Sequence, residues 1–366
     1  MRTIQPDLTE ELEQHFKDPK QVSAGIPFPV NTFRELVEII AKLSFKNKDY
    51  LLFYRGQKKD YLNKNKKSTF YPTIYREEYL TIRELKNRFE ILEETSIKLT
   101  EVFEKKKVEG YNELKKRRSI QWSILQHYEV CPTPFLDLTQ SLRVACSFAT
   151  INNSSDEAFI YAFGMPYFTN RISINSEHDI QNIRLLSICP PTALRPYFQE
   201  GYVVSTYDIT TNYESKTDLD FNNRLIAKFK IPNKKSFWGK EFYSLSQKTL
   251  YPENDPIDEI CKHLKTEVDK GLKSGDLGEF IKLWAELEGL LNSSYERDGN
   301  RYIGIRNTMS ELFKQKILDE EVYYKTEMLR KFRNILVHKP MDITPSQVRT
   351  RLVELENIIN YLKKLK

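Results

Sequence analysis

Tyr50-Leu51-Leu52-Phe53-Tyr54-Arg55-Gly56-Gln57 is an apolar run that ends on a cation, a glycine and an amide. Its aromatic and branched residues predict a strand. Upstream, Asp7-Leu8-Thr9-Glu10-Glu11 suggests a helix cap and first turn, and Asn31 to Leu43 carries Phe33, Leu36, Ile39 and Ile40 at helical spacing. Downstream, long helical stretches are predicted from about Arg76 to Lys107 and from Asn112 to Tyr128. After Pro132 and Pro134, Phe135-Leu136-Asp137-Leu138-Thr139 passes as strand or loop into a helix over Ser141 to Thr150, with Thr139 as its N-cap. Further strands are expected at Ala158 to Phe163, Gly201 to Ser205 and Leu225 to Ile231, then a helix from Pro256 to Lys270 and a linker over Gly271 to Gly275. The pattern predicts an α+β domain with its helices early and its strands late.

Five segments within it recur in a recognisable order: Phe53-Tyr54-Arg55-Gly56-Gln57, Pro72-Thr73-Ile74-Tyr75-Arg76, Gln126-His127 followed by Pro132-Thr133-Pro134-Phe135-Leu136-Asp137, Arg195 to Gly201 with Gln199 between, and Leu250-Tyr251-Pro252. Their sequence and spacing resemble the FRG domain, named for a Phe-Arg-Gly motif. The family often has an aromatic where Leu138 follows Asp137. The resemblance implies an FRG domain over 30–272, preceded by an N-terminal helical extension over 1–29. Arg55, Gln57, Gln126, His127, Asp137, Arg195 and Gln199 are polar groups set in apolar segments. Burial requires that such groups be partnered, by one another or by a ligand. Two arginines with amides and an Asp suit a nucleotide or phosphate; an internal salt-bridge network through Asp137 satisfies the same residues. An Arg at a strand end and a Gln before a Gly and a strand are also similar to ADP-ribosyltransferase sites, although no Glu-x-Glu occurs at this place.

The last quarter of the chain reads differently. Four helices are predicted, over Asp276 to Asn292, Asn300 to Lys316, Glu320 to Lys339 and Pro345 to Leu365, with breaks at Gly299, Pro340 and Pro345. Phe280, Leu283, Trp284, Leu287, Leu290 and Leu291, and later Leu352, Leu355, Ile358, Ile359 and Leu362, repeat at helical spacing as in a bundle. On the third helix Met328, Leu329, Phe332, Ile335 and Leu336 form a core stripe. The opposite face carries Tyr323, Thr326, Glu327, Arg330, Arg333, Asn334, Val337 and His338. Tyr323 and Val337 suit water poorly, and a second copy of the helix is the simplest cover for them. Pro340 stops this helix just after Lys339, leaving His338 in the last turn, where the helix dipole favours a cation.

Arg333-Asn334-Ile335-Leu336-Val337-His338 sets a cation, an amide and an imidazole close together, groups suited to breaking an RNA phosphodiester. In a helical bundle this RNxxxH run resembles the HEPN family. The resemblance implies an all-α HEPN domain over 276–366 that cleaves RNA without a metal or cofactor at a homodimer seam. Arg333, His338 and Asn334 would be catalytic, Arg330 auxiliary, and the products would end in 2′,3′-cyclic phosphate. The plainer reading is a polar helix face with a capping His. Together the two resemblances imply a toxin or anti-phage effector, in which the FRG domain senses a nucleotide or phage-derived trigger and the HEPN domain cuts RNA. Two alternatives are a non-catalytic ligand-binding and dimerisation protein, and an FRG domain acting as an NAD-dependent ADP-ribosyltransferase-like enzyme.

Composition is consistent with a protein of the cytoplasm. A chain of 366 residues is long enough for two domains. No apolar run approaches the roughly 18 residues that suggest a membrane span, and the N-terminal stretch lacks a signal-peptide core. Cys131, Cys146, Cys189 and Cys261 form no CxxC and read as reduced thiols, with neither a disulfide frame nor a metal site. Lysine-rich runs at Lys58 to Lys67, Lys105 to Lys107 and Lys115 to Arg118 are either solvated faces or tracks for phosphates.

Overall fold

The apolar run at 51–57 forms a central strand of a single eight-stranded sheet. A computed structural model describes the chain apart from residues 78–79, 210, 212, 214, 271–273, 297–303, 339–342, 344 and 365–366. Its strands are β1 (Phe28–Pro29), β2 (Leu51–Gln57), β3 (Leu136–Thr139), β4 (Glu157–Met165), β5 (Ile172–Asn175), β6 (Ile180–Arg184), β7 (Gly201–Ser205) and β8 (Leu225–Pro232), in the spatial order β1-β8-β4-β2-β3-β7-β6-β5. β1 is parallel to β8, and every other pairing is antiparallel. Strands are therefore interleaved with helices, not gathered late. β5 and β6 were not foreseen because Ser173, Asn175, Gln181 and Asn182 interrupt their apolar pattern.

The helices up to residue 270 are α1 (Glu10–Phe16), α2 (Phe33–Lys46), α3 (Ile82–Lys105), α4 (Tyr111–Lys116), α5 (Arg118–His127), α6 (Leu142–Thr150), α7 (Leu185–Ile188), α8 (Arg195–Gln199), α9 (Gln247–Leu250) and α10 (Pro256–Lys270). The helix expected over 112–128 is broken where Arg117 turns extended. Ser141, not Thr139, caps α6 by accepting from Val144 N–H; Thr139 ends β3 and donates its hydroxyl to Glu200 O at 3.1 Å. The N-terminal segment is no separate extension. Ile4, Leu8, Leu12 and Phe16 belong to the same apolar core as β2, β4 and β8, and Asn47 ties Asp7 down through two hydrogen bonds of 3.0 and 2.8 Å.

The register positions the site. β2 pairs with β4 along its whole length, from Leu51↔Met165 to Gln57↔Phe159. On its other side it meets β3 at the single pair Tyr54↔Thr139, while β3 pairs fully with β7. The sheet thus opens between residues 55–57 and 136–138.

The chain divides into two compact units, residues 1–76 with 92–262, and residues 77–91 with 263–366. Residues 77–91 were expected in the first domain. Glu77 instead pairs with Arg351 at 2.8 Å and Arg88 at 2.9 Å, and Glu84 with Lys325 at 3.4 Å, both members of the last pair being almost wholly buried. The second unit contains α11 (Ser274–Glu296), α12 (Ile305–Lys314), α13 (Glu320–His338) and α14 (Pro345–Lys364), close to the predicted bundle. Part of the expected linker is helical from Ser274; residues 271–273, Gly299, Lys339 and Pro340 lie outside the described residues. Phe280, Trp284, Leu287, Leu312, Leu329 and Leu355 fill the core. α13 departs from its predicted faces. Thr326 is buried and Ile335 exposed, and the neighbouring Lys325 is turned inward onto Glu84. Among the described residues no helix is long and apolar enough to cross a membrane.

One buried carboxylate in the first unit gives its stability a pH signature. Asp220 accepts from Phe70 N–H at 2.8 Å and Asn222 N–H at 2.9 Å, yet burial outweighs these bonds and raises its pKa from 3.8 to about 6. The folded state therefore binds the proton more tightly than the unfolded chain. The resulting stabilisation is present at acidic pH and is lost as pH rises through about 6, an effect of roughly 3 kcal/mol at 1.36 kcal/mol per pKa unit. Asp220→Asn keeps an acceptor and removes the titration. Urea midpoints of wild type and variant should converge near pH 4 and separate in the variant's favour by pH 7; a constant difference across that range would contradict the assignment.

Candidate functional site

Strand alternation places Arg55 and Gln57 on one face of β2 and Gly56 on the other. A Cβ at Gly56 would lie 1.8 Å from Ala145 O, so α6 can lie against β2 only because this residue has no side chain. Arg55 spans the opening in the sheet, its Nη1 donating to Asp137 O at 2.6 Å. Burial, with Arg76 nearby, lowers its pKa to about 10 against the pull of Asp137, which leaves it cationic at neutral pH.

Asp137 is the hub on the far side. Gln126 Nε2 donates to its Oδ2 at 2.5 Å, and His127 Nδ1 lies 3.5 Å from its Oδ1. Burial alone would raise this carboxyl; hydrogen bonding and charge from His127, then Gln126 and Arg55, outweigh it and hold the pKa below the usual range. Gln126 is fixed in turn by the Thr133 hydroxyl, which donates to its Oε1. An Nδ1–H facing Asp137 would leave His127 Nε2 as the basic nitrogen, and Nε2 has no partner.

These groups line one cavity of about 280 Å³. Arg55, Gln57, Gln126, His127, Asp137 and Gln199 all border it. Arg195 does not. It stands behind His127, donating Nη1 to His127 O at 2.8 Å and stacking 4.4 Å from the Tyr251 ring centre, and so acts as a strut. Gln199 is likewise anchored, its Nε2 donating to Leu250 O at 2.8 Å. Tyr54, Lys58, Glu129, Phe148 and Tyr251 also line the cavity and were not predicted as site residues, although Tyr54 stood in the first motif and Lys58 headed a lysine-rich run. Tyr251 stood in the Leu-Tyr-Pro segment, and that was its one available signal. Burial raises the Tyr54 phenol to about 12, so it stays neutral. Three buried polar atoms of residues that line the cavity have no hydrogen-bond partner: Arg55 Nε, Gln57 Oε1 and His127 Nε2. Such groups are uncommon in folded proteins, and an ordered water, an ion or a ligand completes them.

In the helical unit, Arg330, Arg333 and Asn334 line a cleft of about 320 Å³ with Trp284, Glu288 and Arg306. Arg330 grips Glu327 with Nε and Nη2, each at 3.0 Å. Arg333 Nη1 lies 3.4 Å from Asn334 Oδ1, while its Nε and the Trp284 indole N–H are buried without partners. His338 is the last residue of α13; it is exposed and does not line this cleft. The structure thus brings three of the four predicted residues together.

The larger unit is therefore a mixed α/β domain whose sheet parts over a polar cavity. Its residues 51–158, which contribute Arg55, Gln57, Gln126, His127 and Asp137, match the FRG domain family. No curated protein and no solved structure matches the chain.

Proposed function

We propose that the helical unit cleaves RNA by internal transesterification at a seam between two copies of the chain, and that the FRG cavity holds the ligand controlling it. The observation that carries this reading is the division of α13. Arg333 enters a cleft lined by further arginines with its Nε unpartnered, while His338 stands in solvent beside exposed Val337. They stand five positions apart, roughly 7.5 Å along the helix and about 140° around it, so within one copy they face different ways. A two-fold partner would bring one copy's His338 to the other's Arg333, and the exposed Ile335 and Val337 supply apolar area for that contact.

At such a seam His338 takes the proton of a ribose 2′-OH as the oxygen attacks the adjacent phosphorus. The bond to the 5′-oxygen breaks, and the partner's protonated His338 or water supplies the proton to that leaving oxygen. Arg333 neutralises the phosphorane oxygens, Asn334 orients the Arg333 side chain, and Arg330 adds field. Together with the FRG resemblance this reading fits a toxin or anti-phage effector. Purified protein incubated with total RNA and EDTA is expected to yield fragments ending in 2′,3′-cyclic phosphate; RNA left whole with and without nucleotides in the mixture would overturn the reading.

A further inference from the structure

Residues 58–69 hold five lysines and a single carboxylate, Asp60. That carboxylate is committed inside the fold: the buried Lys228 Nζ donates to its Oδ2 at 3.2 Å and the Tyr161 hydroxyl to its Oδ1 at 3.0 Å. No acid on the segment is left to offset the lysines. Lys58 is tied back, its Nζ donating to Asn152 O at 2.8 Å. Lys59, Lys66 and Lys67 are exposed, and among the described residues no carboxylate pairs with them.

The segment is also held in one shape. It leaves β2 after Gln57 and folds back on itself as a hairpin, with Leu62 bridged to Ser68 and Thr69 N–H donating to Tyr61 O at 2.9 Å. Across the tip, Asn63 Oδ1 accepts from Asn65 N–H at 2.9 Å and from Lys67 N–H at 3.0 Å. Lys66 takes the left-handed region at φ 57°, a conformation that is costly for a non-glycine residue and clusters at functional sites. Lysines that serve only to be solvated need no such scaffold. Two larger side chains stand in water on the same hairpin, Tyr61 at 57% and Leu62 at 52% exposure. As neighbours in an extended pair they point to opposite sides, so they make no single apolar face for a bilayer. A lone exposed ring among lysines suits a strand whose phosphates meet ammonium groups and whose bases have open faces. Arg76, itself exposed, lies within electrostatic reach of Tyr61 and extends the positive field.

We propose that the hairpin over residues 58–69 binds single-stranded RNA, with Lys59, Lys66 and Lys67 on the phosphates and the Tyr61 ring against a base. The surface lies in the larger unit and uses none of the residues given to cleavage, so the inference does not depend on RNA being cut.

Anisotropy of a fluorescein-labelled, fully 2′-O-methylated oligouridine of about 12 nucleotides reads binding by the full chain with no cutting, because its 2′-oxygens cannot attack. Each lysine on a phosphate adds about 0.7 to the slope of log affinity against log salt. Lys59→Gln, Lys66→Gln and Lys67→Gln combined should therefore flatten that slope by about 2. Tyr61→Ala should weaken binding about tenfold with the slope unchanged, while Tyr61→Phe, which keeps the ring, should bind as wild type. Should Tyr61→Ala fail to fold, Tyr61→Leu removes the ring with less loss of bulk. An unchanged slope in the triple variant overturns the proposal, as does wild-type affinity without the ring. So does failure of wild type to bind the oligonucleotide at low salt. Tighter binding to phosphatidylserine vesicles or to polyglutamate than to the oligonucleotide also overturns it, and would assign the hairpin to a membrane or an acidic protein.

Discussion

Gly56→Ala is expected to destabilise the larger unit by about 3 kcal/mol, lowering its melting temperature by roughly 10 °C. The added Cβ would stand 1.8 Å from Ala145 O, 2.8 Å from the carbonyl carbon and 3.0 Å from Ala149 Cβ. Backbone atoms cannot rotate away as a side chain can, so α6 must shift bodily or β2 must leave its register with β4. Either movement pulls Arg55 from the Asp137 carbonyl and parts the two walls of the cavity, so ligand binding should fail along with stability. Scanning calorimetry checks the first effect. A melting temperature within 2 °C of wild type would show that β2 and α6 do not lie as described.

His338→Ala is expected to reduce RNA cleavage by about 10²- to 10⁴-fold with no loss of fold, because general acid–base catalysis by one side chain is worth about that much and His338 is exposed at a helix end. Arg333→Ala should lower activity comparably by removing the charge that offsets the developing phosphorane. The two variants differ in stability. Arg333 Nε is buried without a partner, so truncation there relieves an unsatisfied group while opening space; His338 has nothing comparable to lose. Circular dichroism melts alongside the cleavage assay separate the cases. A His338→Ala protein that cuts RNA at the wild-type rate would return this residue to the role of a polar helix end.

Most of the cavity was legible in the sequence for a physical reason. Arg55, Gln126, His127, Asp137 and Gln199 are polar residues at the ends of apolar elements, and strand and helix ends are where a chain can aim side chains into a shared space. Which of them meet a ligand was not legible. Arg195 and Asp137 look alike in sequence as isolated charges, yet the His127 carbonyl and the Tyr251 ring claim Arg195 as a support. Phe148 and Tyr251 were missed because an aromatic lining a cavity has the same spacing as one filling a core. α13 shows the converse limit. Its periodicity set Thr326 on the outer face, but Thr326 is buried, and the neighbouring Lys325 is turned inward onto Glu84, far away in sequence. Pairing between distant segments leaves no local trace.

The seam itself can be tested by mixing protomers. Arg333→Ala and His338→Ala chains, each inactive alone, are unfolded together, refolded and assayed on RNA with EDTA. If one copy supplies Arg333 and the other His338, half of the randomly paired dimers are mixed and each holds one intact site of its two, so about a quarter of wild-type activity should return. No recovery, with the mixture folded and dimeric and wild type active, would contradict a site shared between copies.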